Sequence, residues 1–114
     1  MPRHVTDYVV LDTIADDLES IEIILSRVNN RQFGWRELHG DQEFTREEIV
    51  SSLFRLIRDG LAEACSYSDS DRTLASLGPG VLPSGELSDH WFVITAHGRM
   101  AHAAWEPPIK NDTH

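Results

Sequence analysis

The stretch FTREEIVSSLFRLIRDGLAEA, residues 44–64, carries the clearest structural signals in the chain. Thr45 is followed three residues later by Glu48, which predicts a capping box, in which each side chain accepts a hydrogen bond from the other residue's backbone N–H. Gly60 suits the left-handed conformation that ends many helices. A helix is therefore predicted to start after Thr45 and to run through Asp59. One face of this helix is apolar and consists of Ile49, Leu53, Leu56 and Ile57.

Downstream of this helix, the sequence predicts two strands and a final helix. LAEACSY (61–67) and HWFVIT (90–95) have the β-branched and aromatic content of strands. The residues between them are rich in Gly, Pro, Ser and Asp, which predicts a hairpin with a long tip over residues 61–95. Thr95 then caps a helix that ends before Pro107 and Pro108, and residues 107–114 are expected to be a flexible tail.

The N-terminal third of the chain allows two interpretations. Thr6 is a candidate helix cap, and apolar residues then recur at three- and four-residue steps as far as Val28. One interpretation is a single helix that ends near Asn29. The other breaks the pattern at ADDLES (15–20), with Ser20 capping a second helix. Fewer than three heptads is short for a coiled coil, which favours two helices.

Residues 29–44 form a connection that is long for two neighbouring helices. They contain two glycines and show no clean period. We expect Phe33, Trp35 and Leu38 to fold this segment back onto the core, with a turn of helix.

Three motifs, in this order, resemble the winged helix-turn-helix superfamily, particularly the MarR-like and PadR-like bacterial regulators. LESIEIIL is similar to the second helix of that fold, and TREEIVSSLFRLIRDGLAEA resembles its recognition helix. WFVITAHGRMAH resembles the second wing strand and a Leu-Thr-x-x-Gly-Arg turn. The resemblance covers residues 8–105 and implies one α+β domain over residues 1–114. That domain would have a three-helix core, a two-stranded wing and a short C-terminal helix. The residues that match the turn motif are Ile94, Thr95, Gly98 and Arg99.

The resemblance implies a DNA-binding protein of the transcription-regulator type that acts as a homodimer. The outer face of the third helix would meet duplex DNA, because arginines and short polar side chains contact phosphates and base edges. The simpler interpretation is a solvated helix face on which the arginines pair with carboxylates of the same helix. The predicted DNA contacts are Arg46, Ser51, Arg55 and Arg58 on the helix and Arg72 in the wing.

The charge of the chain favours a second hypothesis, a protein–protein interaction module without DNA binding. The formal net charge is −9, which works against attraction to phosphate backbones. The predicted wing tip contains four carboxylates against Arg72 alone, whereas wings that bind DNA are usually neutral or basic by the resemblance. An exposed phenylalanine on the third helix is also more typical of a protein contact. The predicted interface residues are Phe54, Val81, Leu82, Tyr8 and Trp105, and the N- and C-terminal helices are the expected dimer surface.

Other functional classes receive little support from the sequence. With 114 residues, no apolar run long enough for a membrane span and no leader-like start, a cytoplasmic protein is expected. Cys65 is the only cysteine, and His97 and His102 are spaced wrongly for one helix face, so no metal site or cofactor is expected. The acidic residues Asp16, Asp17 and Glu19 fit the start of a helix, where carboxylates complement the dipole. No nucleophile motif is present, and no enzymatic activity is expected.

Overall fold

The described part of the chain forms an α+β fold with five helices and a three-stranded antiparallel sheet. The structure, a computed structural model, describes residues 4–30, 32, 34–68, 72–84 and 87–105. The helices are α1 (Val5–Ile14), α2 (Ile21–Val28), α3 (Trp35–Leu38), α4 (Arg46–Arg58) and α5 (Ala96–Ala104). The strands are β1 (Ala62–Ser68), β2 (Thr73–Ser76) and β3 (His90–Ile94), in the order β2-β1-β3, and a short 3-10 helix (Leu87–Asp89) precedes β3.

The N-terminal apolar repeat forms two helices, which confirms the favoured interpretation. The Ser20 hydroxyl caps α2 by accepting a hydrogen bond from the backbone N–H of Ile23 at 3.3 Å. The prediction that Thr6 caps the first helix is wrong, because α1 begins at Val5 and has His4 at its N-cap. Helix α1 contacts α2, α4, α5 and β3 and is buried on most sides. Its apolar residues therefore belong to the core of one chain.

Helix α4 has the ends that its sequence predicts. The Thr45 hydroxyl accepts from the Glu48 N–H at 3.1 Å, and the Thr45 N–H donates to the Glu48 carboxylate at 2.8 Å, which completes the capping box. Asp59 stands at the C-cap, and Gly60 follows with a φ of 78°. The Leu61 N–H then donates to the Leu56 carbonyl at 2.9 Å, the bond expected when a helix ends in a left-handed glycine.

The sheet has one strand more than the predicted two-stranded hairpin. β1 does pair with β3, but part of the segment between them returns along the other side of β1 as β2. A strand was not expected there because residues 68–89 have the composition of a turn-rich loop. Side chains alternate across the sheet, so one face packs on the helices through Ala62, Ala64, Phe92 and Ile94. The other face carries Cys65, Tyr67, Leu74 and Trp91.

Three sets of contacts join the elements: two lie where the helices meet the sheet, and one links α5 to the end of α1. Glu19, between α1 and α2, exchanges two backbone hydrogen bonds with Phe92 of β3, at 3.0 and 2.9 Å. The Thr95 hydroxyl caps α5 through the Gly98 N–H at 2.8 Å and donates to the Gly60 carbonyl at 2.7 Å. Arg99 donates to the Ala15 carbonyl at 3.0 Å. The predicted C-terminal helix is thus confirmed, and it locks the end of β3 to the start of β1.

The long connection between α2 and α4 is closed by Asn29. Its side-chain amide donates to the Phe44 carbonyl at 3.0 Å and accepts from the Phe44 N–H at 2.6 Å. The predicted turn of helix is present as α3, and Trp35 packs against the core. Phe33, both C-terminal prolines and the tail 107–114 lie outside the described residues.

Candidate functional site

Helix α4 holds four of the five predicted DNA contacts, Arg46, Ser51, Arg55 and Arg58. Glu47, Ser51 and Arg58 are exposed on its outer face, and Phe54 is half-buried. The buried face of α4 consists of Ile49, Ser52, Leu53, Leu56 and Ile57, so the opposite side remains turned to solvent. The fifth predicted contact, Arg72, is exposed and directly precedes β2. Helix α4 therefore presents a polar surface, but the surface has both signs of charge.

Arg55 is engaged inside the protein. Its Nη2 lies 2.6 Å and its Nε 3.1 Å from Oδ1 of Asp7 on α1. Asp7 is only 3% exposed and also accepts from the Ser52 hydroxyl at 2.7 Å. The hydrogen bonds to Asp7 raise the pKa of the Arg55 guanidinium above its ordinary value. The expected partners of this arginine were carboxylates of its own helix, yet the partner lies 48 residues away.

Two of the remaining predicted DNA contacts, Arg46 and Ser51, have acidic neighbours. Arg46 Nη2 lies 3.7 Å from the carboxylate of Glu22 on α2, and both side chains are about half exposed. Such an exposed pair contributes little to stability, about 0–1 kcal/mol. Beside Ser51 lies a polar cavity of about 300 Å³, and its lining contains two carboxylates. The residues that line it are His4, Thr6, Glu47, Glu48, Ser51 and Arg55.

The residues of the predicted protein interface differ widely in exposure. Val81 is 43% exposed, whereas Phe54, Leu82 and Trp105 are half-buried. Tyr8 is 7% exposed, and burial, followed by the nearby Asp12, raises the pKa of its hydroxyl. The Tyr8 ring packs against His102, Trp105 and Trp35, with ring centroids 5.7, 5.1 and 6.0 Å away.

Part of the expected dimer surface is buried inside the protomer. The N-terminal helix was expected to form part of this surface, but its Val9 and Val10 are fully buried within the protomer. Ile23 on α2 is 39% exposed. The homodimer itself remains a prediction.

An apolar groove that sequence reasoning missed lies on the outer face of the sheet. Its volume is about 760 Å³, and we call it the sheet groove. Tyr67 and Leu74 are direct cross-strand partners, 48% and 41% exposed, while Leu18 and Trp91 are half-buried. Neighbouring exposed apolar side chains form a surface that a partner protein could cover. The residues lining the groove are Leu18, Tyr67, Leu74, Ser88, Asp89 and Trp91.

Part of the sheet groove could have been found from the sequence. The alternation of β1 places Cys65 and Tyr67 on one face, and the paired strand β3 places Trp91 there too. Leu74 could not be placed, because β2 reads as loop. The position of Leu18 could not be predicted either, because the backbone hydrogen bonds between Glu19 and Phe92 bring it beside the sheet.

Cys65 and the acidic segment 16–19 show no sign of reactivity or ligand binding. Cys65 is 7% exposed, and burial, with a smaller effect of Glu63, raises the pKa of its thiol. Asp16 and Asp17 are exposed, whereas Glu19 is buried 3.7 Å from Arg27. The prediction that these residues are first-turn charge is wrong, because all three precede Ser20, the N-cap of α2. Glu19 instead forms an isolated β-bridge with Phe92.

The described part of the chain contains neither a candidate metal site nor a membrane-spanning helix. Among the described residues, no group of three His, Cys, Asp or Glu side chains is arranged to hold a metal ion. No helix in the described ranges has the length and apolar character needed to cross a membrane. No family model, no curated protein and no solved structure matches the chain.

Proposed function

We propose that the chain is a winged-helix domain that acts as a protein–protein interaction module through its sheet groove. The order of elements supports the winged-helix assignment, because α1, α2 and α4 pack together and the sheet follows α4 directly. Two features depart from the resemblance, namely the inserted α3 and the third strand, β2. Both add surface outside the three-helix core.

The observation that carries the proposal is the exposed apolar lining of the sheet groove. Tyr67 and Trp91 offer large, stiff contact surfaces, and aromatic residues of this kind are enriched at protein interfaces. A nucleic acid fits the groove poorly, because Asp89 lines it and the chain carries a net charge of −9. The engagement of Arg55 by Asp7 further weakens α4 as a reader of DNA.

Affinity capture with matched variants tests the proposal. The wild-type chain, Tyr67→Glu and Phe54→Glu are each immobilised and exposed to lysate of the cells that express the protein. We expect proteins retained by the wild type and by Phe54→Glu to be lost with Tyr67→Glu. Circular dichroism and thermal unfolding check that each variant is folded. An identical set of retained proteins for the wild type and Tyr67→Glu contradicts an interface at the sheet groove.

The second candidate function is binding to duplex DNA, as in a transcription regulator. The observation that favours it is the solvent-facing side of α4, where Ser51 and Arg58 are exposed and Arg46 stands at the capped end. Binding to mixed duplex DNA between about 50 and 200 mM salt is the direct test, since phosphate contacts make affinity fall steeply with salt. Binding whose affinity falls steeply with salt, and which is lost in the double variant Arg46→Ala/Arg58→Ala, would support this function. Arg55 is left intact because it pairs with Asp7.

A further inference from the structure

We infer that the sheet groove takes an extended, cationic segment of a partner protein, which adds as a strand to the free edge of β2. The inference rests on the proposed interaction function and specifies its partner. Addition of a strand to a sheet edge gives affinity through backbone hydrogen bonds and specificity through alternate side chains.

Among the described residues, no strand pairs with the outer edge of β2, so this edge can accept another strand. All four residues of β2 are exposed, and the strand lies at the end of the order β2-β1-β3. The Leu77 N–H donates to the Ala64 carbonyl at 2.9 Å, which fixes the alternation of the antiparallel pair. With that register, Thr73 and Ala75 direct their backbone groups to β1. Leu74 and Ser76 direct theirs away from it, toward the open edge.

The same register places the incoming side chains beside the groove. A strand paired to β2 would lie about 4.8 Å from it, and its alternate side chains would share the face of Leu74. Leu74 is directly opposite Tyr67, and Trp91 lies on the next strand beyond β1. Two or three apolar side chains of an extended segment would thus fit into the groove, whose volume is about 760 Å³.

The charges around the groove favour a cationic partner. Asp89 lines the groove, and Asp17 is exposed directly before Leu18, which also lines it. Glu63 lies on the same sheet face, where it accepts from the Ser76 hydroxyl at 2.7 Å. Among the described residues, Arg72 is the cationic side chain next to β2. The three carboxylates near the groove therefore outnumber the cationic groups there. Lysine or arginine beside the apolar residues of the partner would be attracted to this rim, and the net charge of −9 would speed the encounter.

A second copy of the chain is the less suitable occupant. Each copy carries a charge of −9, so two sheet edges would meet with like charge. A heterologous cationic segment meets no such repulsion. Self-association through β2 is therefore an outcome that would overturn the inference.

Selection from a random peptide library displayed on phage, against the full chain, is the first test. We expect the selected peptides to alternate apolar or aromatic residues with other positions and to be rich in Lys and Arg. The strongest peptide is then synthesised with a fluorophore, and its binding is measured by anisotropy. Tyr67→Glu should abolish binding, whereas Tyr67→Phe should retain it, because the ring supplies the contact.

Backbone N-methylation of that peptide separates strand addition from other modes of binding. Each methyl group removes one N–H, so affinity should fall about tenfold at every second position and change little between them. Uniform effects along the peptide would overturn the strand addition. Selected peptides rich in Asp and Glu, no selected peptide at all, or Tyr67-dependent dimerisation in sedimentation would overturn the cationic partner.

The two proposals fail in different ways. If lysate proteins are captured through Tyr67 but no cationic peptide is selected, the inference is wrong and the interaction function stands. If Tyr67→Glu changes neither the captured proteins nor the peptide binding, both are wrong.

Discussion

Arg55 and Asp7 connect α4 to α1 through an ion pair whose carboxylate is 3% exposed. We expect Arg55→Met to lower the free energy of unfolding by about 2–3 kcal/mol, because Asp7 would keep a buried charge without its partner. This loss is smaller than the usual range of about 3–5 kcal/mol because water reaches the guanidinium, which is 35% exposed. Urea unfolding measures the change.

The matched control for that variant is Arg58→Met, an exposed arginine on the same helix. It should change the free energy of unfolding by less than about 0.5 kcal/mol. Replacing Asp7 by Asn in the Arg55→Met background should recover part of the loss, since the unpaired charge is removed. Equal losses for Arg55→Met and Arg58→Met would show that the pair does not stabilise the fold.

Glu48 makes the stability of the chain depend on pH. The hydrogen bond from the Thr45 backbone, with a smaller effect of His39 at 3.0 Å, lowers the pKa of this carboxyl below its ordinary value of 4.5. The ionised Glu48 carboxylate therefore stabilises the folded state above about pH 4.5. This stabilisation is lost as the pH falls through the lower pKa that Glu48 has in the folded protein. Glu48→Gln keeps the capping geometry and removes the charge. We expect it to be less stable than the wild type at pH 7, by a difference that shrinks on acidification.

Unfolding in urea between about pH 3 and 7 measures that difference. The control is Glu47→Gln, since Glu47 is exposed one residue earlier and lies outside the capping box. A difference between the wild type and Glu48→Gln that stays constant with pH would show that the carboxylate charge contributes nothing.

At the scale of elements, helix α5 depends on a close backbone approach at Gly98. A Cβ atom there would overlap the Leu61 carbonyl oxygen and come within 2.8 Å of Ile94 Cγ1. Although alanine favours helices over glycine, we expect Gly98→Ala to lower the free energy of unfolding by about 1–3 kcal/mol. Met100→Ala, 71% exposed on the same helix, should be nearly neutral. If thermal unfolding shows Gly98→Ala to be the more stable protein, α5 does not pack this tightly.

At the scale of the whole molecule, the net charge of −9 opposes the compact state. Raising NaCl from about 20 to 200 mM should increase the unfolding temperature, because salt screens repulsion between exposed carboxylates. The Arg55–Asp7 pair is more buried and should be screened less. A parallel series in choline chloride distinguishes screening from specific sodium binding. A falling unfolding temperature would mean that attractive surface pairs dominate.

Local sequence patterns are enough to locate the starts of α2, α4 and α5. Thr45 with Glu48, Ser20 and Thr95 all act as predicted, and so does Gly60. Each of these signals uses hydrogen bonds between residues close in the chain, so local spacing is enough to recognise it. Helix α1 lacks such a cap, and its start was misplaced at Thr6 for that reason.

Contacts between distant parts of the chain set which side chains face solvent on α4 and on the sheet. Arg55 is hydrogen-bonded to Asp7 and so is less available to a ligand. The sheet groove brings together Leu18 and Leu74, which are far apart in the chain. The edge strand β2 forms because β1 offers it a partner, against a composition typical of a loop. Contacts between distant residues follow from packing and strand register, which local patterns do not encode.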